Sequence, residues 1–308
     1  MDINLALFFD PAAIAPADIA AIGERIGPGI RVHAFATTAS HLLTPVWLCT
    51  RPTVTVEFNR PKRFHPFRGK RLRQLRKGKI ADNLQLLTAG LPVPKFEVIT
   101  QKTILDPAVW GPYVVVKPDR GQRGAYVWIH RTSRVRYKHP SEFRKNHPGR
   151  SGAMIAEQFI YTGPWPVSHR VLTLFGEPLL SIRFEAAHDI PALPASGDFK
   201  SSGGGRSIVA TRQGGTVSLF QDKEMLDLAR RVHTVFPEVP ILGQDMVRDA
   251  ATGKLYVLEV NASGGTWALS GPRGREMQAQ FQLDFYKQFD ALNTAARVLS
   301  DVARRHAR

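Results

Sequence analysis

The sequence predicts a mixed α/β and α+β fold, with a small βαβ domain first and α+β structure after it. Three observations predict this. The first segment alternates strand-like apolar runs with one helical stretch, a βαβ pattern that implies a small parallel sheet. Further along, apolar runs come in pairs around glycine-containing turns, which implies antiparallel hairpins. Stretches with helical spacing lie between and after these pairs, so the sheets are mixed with helices rather than stacked on one another.

In order along the chain, "INLALFFD" is a strand, and "PADIAAIGERIGPG" is a helix on Ile19, Ile22 and Ile26 that stops at glycines. "IRVHAFAT" and "TVTVEFN" are two further strands, and the absence of G-x-G-x-x-G argues against a dinucleotide site there. In Arg60 to Lys79 half of the residues are Lys or Arg, which reads either as a solvated connector or as a patch for phosphate or an acidic chain. "IADNLQLLTAG" is a short amphipathic helix ending at Gly90, and "LPVPKFEVI" leads from it into a strand. "PYVVVKPDRGQRGAYVWIH" is two strands joined by a glycine turn, and "MIAEQFI" is another strand. "HRVLTLFGEPLLSIRFEA" is a hairpin turning at Gly176-Glu177, and "ASGDFKSSGGGRS" is a loop. "DKEMLDLARRVHTVF" is a helix capped by Asp222, "ILGQDMVRDAATGKLYVLEVNASGG" is a second hairpin, and the residues from Arg275 to Arg305 close the chain as helix.

The 308 residues carry a formal net charge of +16, which favours acidic partners such as nucleotides, phosphates, acidic peptides or nucleic acid. The single cysteine, Cys49, forms no intrachain disulfide and fits a reducing cytoplasm. The N-terminal apolar run ends at Asp10, too short for a signal core or a membrane span, so a cytoplasmic protein with no membrane segment is expected.

The second hairpin carries the chemistry. If it turns around Thr252, Asp245 faces Glu259, Val247 faces Val257, and Asn261 follows on the same face as Glu259. Two like charges directly opposite one another destabilise a sheet unless something offsets them. Two carboxylates and an amide are hard oxygen donors suited to Mg²⁺. The alternative is that Arg183 or another arginine pairs with the acids as a structural network. Lys117, at the end of "YVVVK" beside a glycine turn, and Lys79, at the head of a helix, are candidates for contact with phosphate.

The order of these pieces resembles the ATP-grasp superfamily of carboxylate–amine ligases, nearest to the ligases that add glutamate to a protein C-terminus and to glutathione synthetases. The resemblance runs from Lys79 to Gly265 through "GKIADNLQLLTAGLPVP", "VVVKPDRGQRGAYV", "IAEQFI", "HRVLTLFGEPLLSIRFEA", "GDFKSSGGG" and "DMVRDAATGKLYVLEVNASGG". It implies an N-terminal βαβ domain over 1–68, a central subdomain over 69–158 and a C-terminal subdomain over 159–308 that clasp ATP between them. It further implies that Lys79 and Lys117 touch ATP phosphates and that Gly121 and Gly124 shape a lid. By the same resemblance Glu157, Gln158, Phe159 and Ile160 form the adenine hinge, with Glu157 or Gln158 meeting the base. Arg170 and Arg183 would stabilise phosphate or bind a carboxylate, Lys200 would line the acceptor side, and Asp245, Glu259 and Asn261 would hold Mg²⁺ or Mn²⁺.

The chain departs from the resembled pattern at several points. The hinge reads Glu157-Gln158 where Gln-Glu is usual, Ser168 stands where a ribose-contacting acid is expected, and "NASGG" replaces "NASPG". Tyr126 stands where a second lid glycine is usual, which should stiffen the lid.

The expected reaction is ATP- and Mg-dependent amide formation through an acyl phosphate, on a small-molecule, amino-acid or peptide substrate; an acidic substrate and a dimer are compatible with this. A kinase on the same scaffold and a basic nucleic-acid-binding protein are the alternatives.

Overall fold

The computed structural model describes residues 2–38, 52–61, 69–73, 78–121, 125–187 and 215–307. Lys200, Gly124, Cys49 and the loop "ASGDFKSSGGGRS" lie outside them. Three sheets organise the described residues.

The first sheet contains β1 (Ile3–Phe9), β2 (Ile30–Ala36), β3 (Thr53–Glu57) and β4 (Lys70–Arg73) in the order β2-β1-β3-β4, every pair parallel. Helix α1 (Pro16–Arg25) connects β1 to β2 and starts with proline in its first turn, where the missing N–H costs nothing. β4 carries this sheet past residue 68, where the sequence set the boundary. Leu72 is the reason, because it is buried in the same core as Leu5, Val54 and Ile22. Part of the basic stretch is therefore structural: Arg71 pairs with the buried Glu57, and Lys70 pairs with Glu238.

The second sheet has β5 (Phe96–Val98), β6 (Tyr113–Pro118), β7 (Trp128–Arg131) and β8 (Met154–Gln158) in the antiparallel order β5-β8-β6-β7. Side chains alternate across it. Val114, Val116 and Ala156 face a small core with Trp110 and Ile99, while Val115, Lys117 and Glu157 face the other way.

The third sheet runs β11 (Thr216–Leu219), β10 (Glu177–Glu185), β9 (Val167–Leu174), β12 (Ile241–Arg248) and β13 (Leu255–Asn261) in that spatial order, all antiparallel. The β9–β10 turn falls at Phe175-Gly176, one residue before the expected place, with φ of 46° and 94°. Both central residues in the left-handed region match the twist of a two-residue hairpin loop. Helix α2 (Lys79–Thr88), expected with the central subdomain, buries Leu86 in the core of this third sheet, beside Val171, Leu242 and Val257. A longer helix (Lys223–Thr234) covers the same face with Met225, Leu228 and Val232, and Asp222 caps it by accepting from Met225 N at 3.0 Å.

The chain does not close as one helix. It forms Pro272–Phe281 and Ala291–His306, separated by residues Gln282 and Asp290 at positive φ. Between them Phe285 is fully buried, and its N–H donates to Gln278 Oε1 at 3.0 Å, which requires the chain to leave the helical path. The last helix packs Ala295, Leu299 and Val302 against both the first and third sheets, so these share one core. Asp18 of α1 reinforces that join. Its buried carboxylate accepts from Trp267 Nε1 at 2.7 Å, Ser270 Oγ at 2.6 Å and Tyr286 OH at 3.0 Å. Burial and the Asp18 charge push the Tyr286 phenol far above its ordinary value.

A buried polar network sits under the third sheet. His233 Nε2–H donates to the Val239 carbonyl at 2.9 Å, leaving Nδ1 to accept from the Thr173 hydroxyl at 2.7 Å. Burial lowers His233 to about 4, and burial with the nearby Arg183 charge lowers His169 to about 4. Both folded values lie below the unfolded one, so this stability is present above about pH 6.5 and is lost as pH falls toward 4. Each histidine contributes roughly 3 kcal/mol at the limit. Urea denaturation should show stability falling between pH 7 and pH 5, with a shallower fall in His233→Gln; equal falls would rule out this origin.

Candidate functional site

Asp245 on β12 lies directly opposite Glu259 on β13, and Gly243 lies opposite Asn261. The expected register holds from Gly243 to Asp245 and then slips, because Met246 rather than Val247 faces Val257. Leu258 is the extra residue of a β-bulge. The consequence is functional in position: the Leu258 carbonyl leaves the ladder and accepts from Lys117 Nζ at 3.3 Å. Gly243 has no side chain because the Thr266 methyl occupies that space; a Cβ there would stand 2.3 Å from it.

The opposed acids are offset from two sides. Asp245 is also aligned with Arg170 on β9, and the guanidinium holds it bidentately, Nε to Oδ1 at 2.6 Å and Nη2 to Oδ2 at 2.7 Å. Such forked, charge-assisted pairs are among the stronger polar contacts. Asp245 in turn raises the Arg170 pKa. Asn261 Nδ2 donates to Asp245 Oδ2 at 3.2 Å, and Lys79 Nζ lies 3.3 Å from Glu259 Oε1. Arg170, rather than Arg183, is therefore the arginine of this network. Arg183 is opposite His169, one residue out of phase with Arg170, so it faces the other side of the sheet and pairs with Glu185 at 2.6 Å. The structure does not bring it to the cluster.

Lys117 and Glu157 share a face of the central sheet, since Val115 is opposite Glu157 and Lys117 is two residues on. Their ion pair closes to 2.7 Å with both side chains almost entirely buried. Burial pushes the Glu157 carboxyl up, and Lys117 pulls it back. Glu157 is thus held by Lys117, while the next residues, Gln158 to Ile160, lead off the strand along a cavity wall. Lys79 Nζ also donates to the Gly121 carbonyl at 3.3 Å.

All of these groups open onto one cavity of about 1240 Å³ between the central and third sheets. It is also lined by Asp10 and Ala12 after β1, by Trp267, and by Arg273 at the start of the Pro272–Phe281 helix. Tyr126 adopts φ of 62°, the left-handed conformation that glycine takes readily, and its ring packs against His147 at 4.3 Å. The sequence missed the Leu258 carbonyl, because a bulge leaves no mark in residue type. It also missed Asp119, although an acid two residues after a strand-end lysine was visible. Among the described residues no group of three or more His, Cys, Asp and Glu side chains is placed to hold a metal, and the Asp245–Glu259–Asn261 set counts only two such residues. No described helix is long and apolar enough to cross a membrane.

Three sheets in this order, with a cleft between the second and third, make the chain an ATP-grasp fold. Among solved structures it is similar to D-cycloserine synthetase DcsG, with a TM-score of 0.56 at 14% identity over 97% of this chain and 99% of that one. A structure of the ATP-grasp ligase PsnB with minimal precursor, Mg and ADP gives 0.50 at 13% identity over 95% and 98%. N5-carboxyaminoimidazole ribonucleotide synthetase from Thermotoga maritima gives 0.50 at 12% identity over 96% and 76%. No protein-family model and no curated protein sequence matches the chain.

Removing one member of a buried ion pair strands the other charge, at a cost of about 3–5 kcal/mol. Lys117→Met should lose that much stability in urea denaturation at pH 7, and Lys117→Met/Glu157→Gln should recover most of it. A double variant no more stable than the single one would contradict the pairing.

Proposed function

We propose that this protein is an ATP- and Mg²⁺-dependent ligase that joins a carboxylate to an amine on an amino-acid or peptide substrate. The observation that carries the reading is the convergence of Lys79, Lys117 and Arg170 with Asp245, Glu259 and Asn261 on one cleft of an ATP-grasp fold. A structure of the same fold, that of PsnB, contains Mg and ADP, which supports the choice of nucleotide and ion. The resemblance of the sequence to glutamate-adding ligases supports the choice of reaction.

The residues fit a divalent cation. Asp245 and Glu259 oppose each other on the cavity floor, both partly open to solvent, and the Asn261 amide oxygen adds a third hard donor. Bound there, Mg²⁺ would screen the charge of the phosphates. Arg170 and Lys79, which neutralise the acids in this structure, would then be free to turn to phosphate oxygens. Lys117 adds a cation that its contacts with Glu157 and the Leu258 carbonyl hold in place. Preorganised cations of this kind are the main protein contribution to phosphoryl transfer. Because Glu157 is committed to Lys117, the backbone from Gln158 to Ile160 is left to receive adenine.

In the proposed reaction a substrate carboxylate oxygen bonds to the γ-phosphorus of ATP, and the bond to the β,γ-bridging oxygen breaks to release ADP. An amine nitrogen then attacks the acyl carbon, loses a proton, and phosphate leaves. The lid after Lys117 would keep water from the acyl phosphate.

An ADP-release screen over amino acids and acidic peptides, with mass detection, tests the reaction. An amide product supports the ligase, whereas a phosphorylated product would make the protein a kinase on the same scaffold. In Glu259→Gln, Mg²⁺-dependent ADP release should fall at least about 100-fold with an unchanged circular dichroism spectrum, in line with the loss of a charge-stabilising group; undiminished turnover would remove Glu259 from the metal set. Arg170 competes with a cation for Asp245. Arg170→Gln should therefore bind Mn²⁺ in the absence of nucleotide about 10-fold tighter than the unaltered chain, an effect of ~1.4 kcal/mol. Unchanged or weaker Mn²⁺ binding by calorimetry would show that Arg170 does not hold the metal seat.

A further inference from the structure

Two segments far apart in sequence meet beside the lysines, and one carboxylate joins them. Helix α2 begins at Lys79 with Gly78 at its N-cap, and Gly78 brings no capping side chain. The first backbone N–H groups of a helix need an acceptor from elsewhere. Asp119, two residues beyond Lys117, supplies it: Oδ1 accepts from Ile80 N at 2.9 Å. The backbone adds to the contact, since Lys79 N donates to the Asp119 carbonyl at 3.2 Å. Asp119 N in turn donates to the Ala153 carbonyl at 2.9 Å, which ties the acid to the residue just before β8.

The steric fit is equally specific. A Cβ on Gly78 would stand 2.2 Å from Asp119 Oδ2 and 2.4 Å from Oδ1. Gly78 has φ of −92°, so glycine is needed there for space rather than for backbone conformation. A negative carboxylate at this end also complements the helix dipole. The loop holds Lys79 at both ends, because the lysine backbone bonds to Asp119 and its Nζ donates to the Gly121 carbonyl at 3.3 Å. The contact crosses between structural units: Leu86 of α2 belongs to the core of the third sheet, whereas Asp119 extends from the central sheet.

We infer that Asp119 is a positioning residue: a helix cap supplied from another segment, which sets Lys79 relative to Lys117 and so shapes the phosphate end of the cleft. Lys79 is the first residue of α2. The capped turn holds the Lys79 ammonium between the Gly121 carbonyl and Glu259, and fraying of that turn would release it from this position. The inference rests on the reading of this cavity as the ATP site. The clasp itself is a property of the chain without nucleotide.

Two measurements on the full chain separate these claims. Hydrogen exchange at Ile80 and the next amides of α2 reports the cap directly. Asp119→Ala should speed exchange there by about 10-fold or more, and Gly78→Ala, which collides with the carboxylate, should do the same. Asp119→Asn keeps an acceptor oxygen and should restore most of the protection. Calorimetry with Mg²⁺ and the non-hydrolysable ATP analogue AMPPNP reports positioning. Asp119→Ala and Gly78→Ala should each weaken binding by about 10-fold, and Asp119→Asn should bind nearly as the unaltered chain does. In the Asp119→Ala background, Gly78→Ala should add no further loss, because the group it strikes is gone. Unchanged exchange in Asp119→Ala overturns the clasp whatever the nucleotide does. Faster exchange with unchanged AMPPNP affinity overturns the positioning role and leaves the ATP reading intact. Failure of the unaltered chain to bind AMPPNP overturns the ATP reading, and the positioning role with it.

Discussion

The arrangement of the cleft depends on two like charges placed opposite each other in a sheet. Asp245 and Glu259 share a face of a β-hairpin, where their repulsion disfavours the pairing that holds them. The chain answers by bringing a cation from each side. Arg170 comes from the next strand, and Lys79 from a helix that belongs to the same core but lies more than eighty residues earlier in the chain. The strand order β9-β12-β13 and the docking of α2 against β13 meet this requirement.

The same economy recurs at the lysines. Lys117 is buried and therefore needs an acid, which Glu157 provides, and a further acceptor, which the bulge at Leu258 provides. A cation held this way is aimed before any ligand arrives. Three ion pairs result: Lys79 with Glu259, Lys117 with Glu157, and Arg170 with Asp245.

Much of the architecture is legible along the chain. The βαβ start, both hairpins, the Asp222 cap and the facing of Asp245 with Glu259 follow from periodicity and turn chemistry, which are local. The order of motifs was enough to indicate ATP-grasp, which the three sheets bear out. The places where expectation and structure part are non-local. β4 joins the first sheet because Leu72 finds its burial partners there, and the closing helix broke because Phe285 is drawn into the shared core. Arg183 left the cluster through strand phase alone, since one residue of register moves a side chain to the opposite face.

Residue pattern along the chain sets which residue types can meet: two opposed carboxylates, an amide two residues beyond one of them, a lysine at a strand end, another at a helix start, and arginines in a hairpin. Tertiary structure alone decided which of them do meet. It chose Arg170 over Arg183 as the partner of Asp245, paired Glu157 with Lys117, and set Asp119 on the first turn of a helix beginning forty residues earlier. The physical reason is that side-chain pattern is written locally, whereas charge compensation acts through space and is settled only when distant segments share a buried volume.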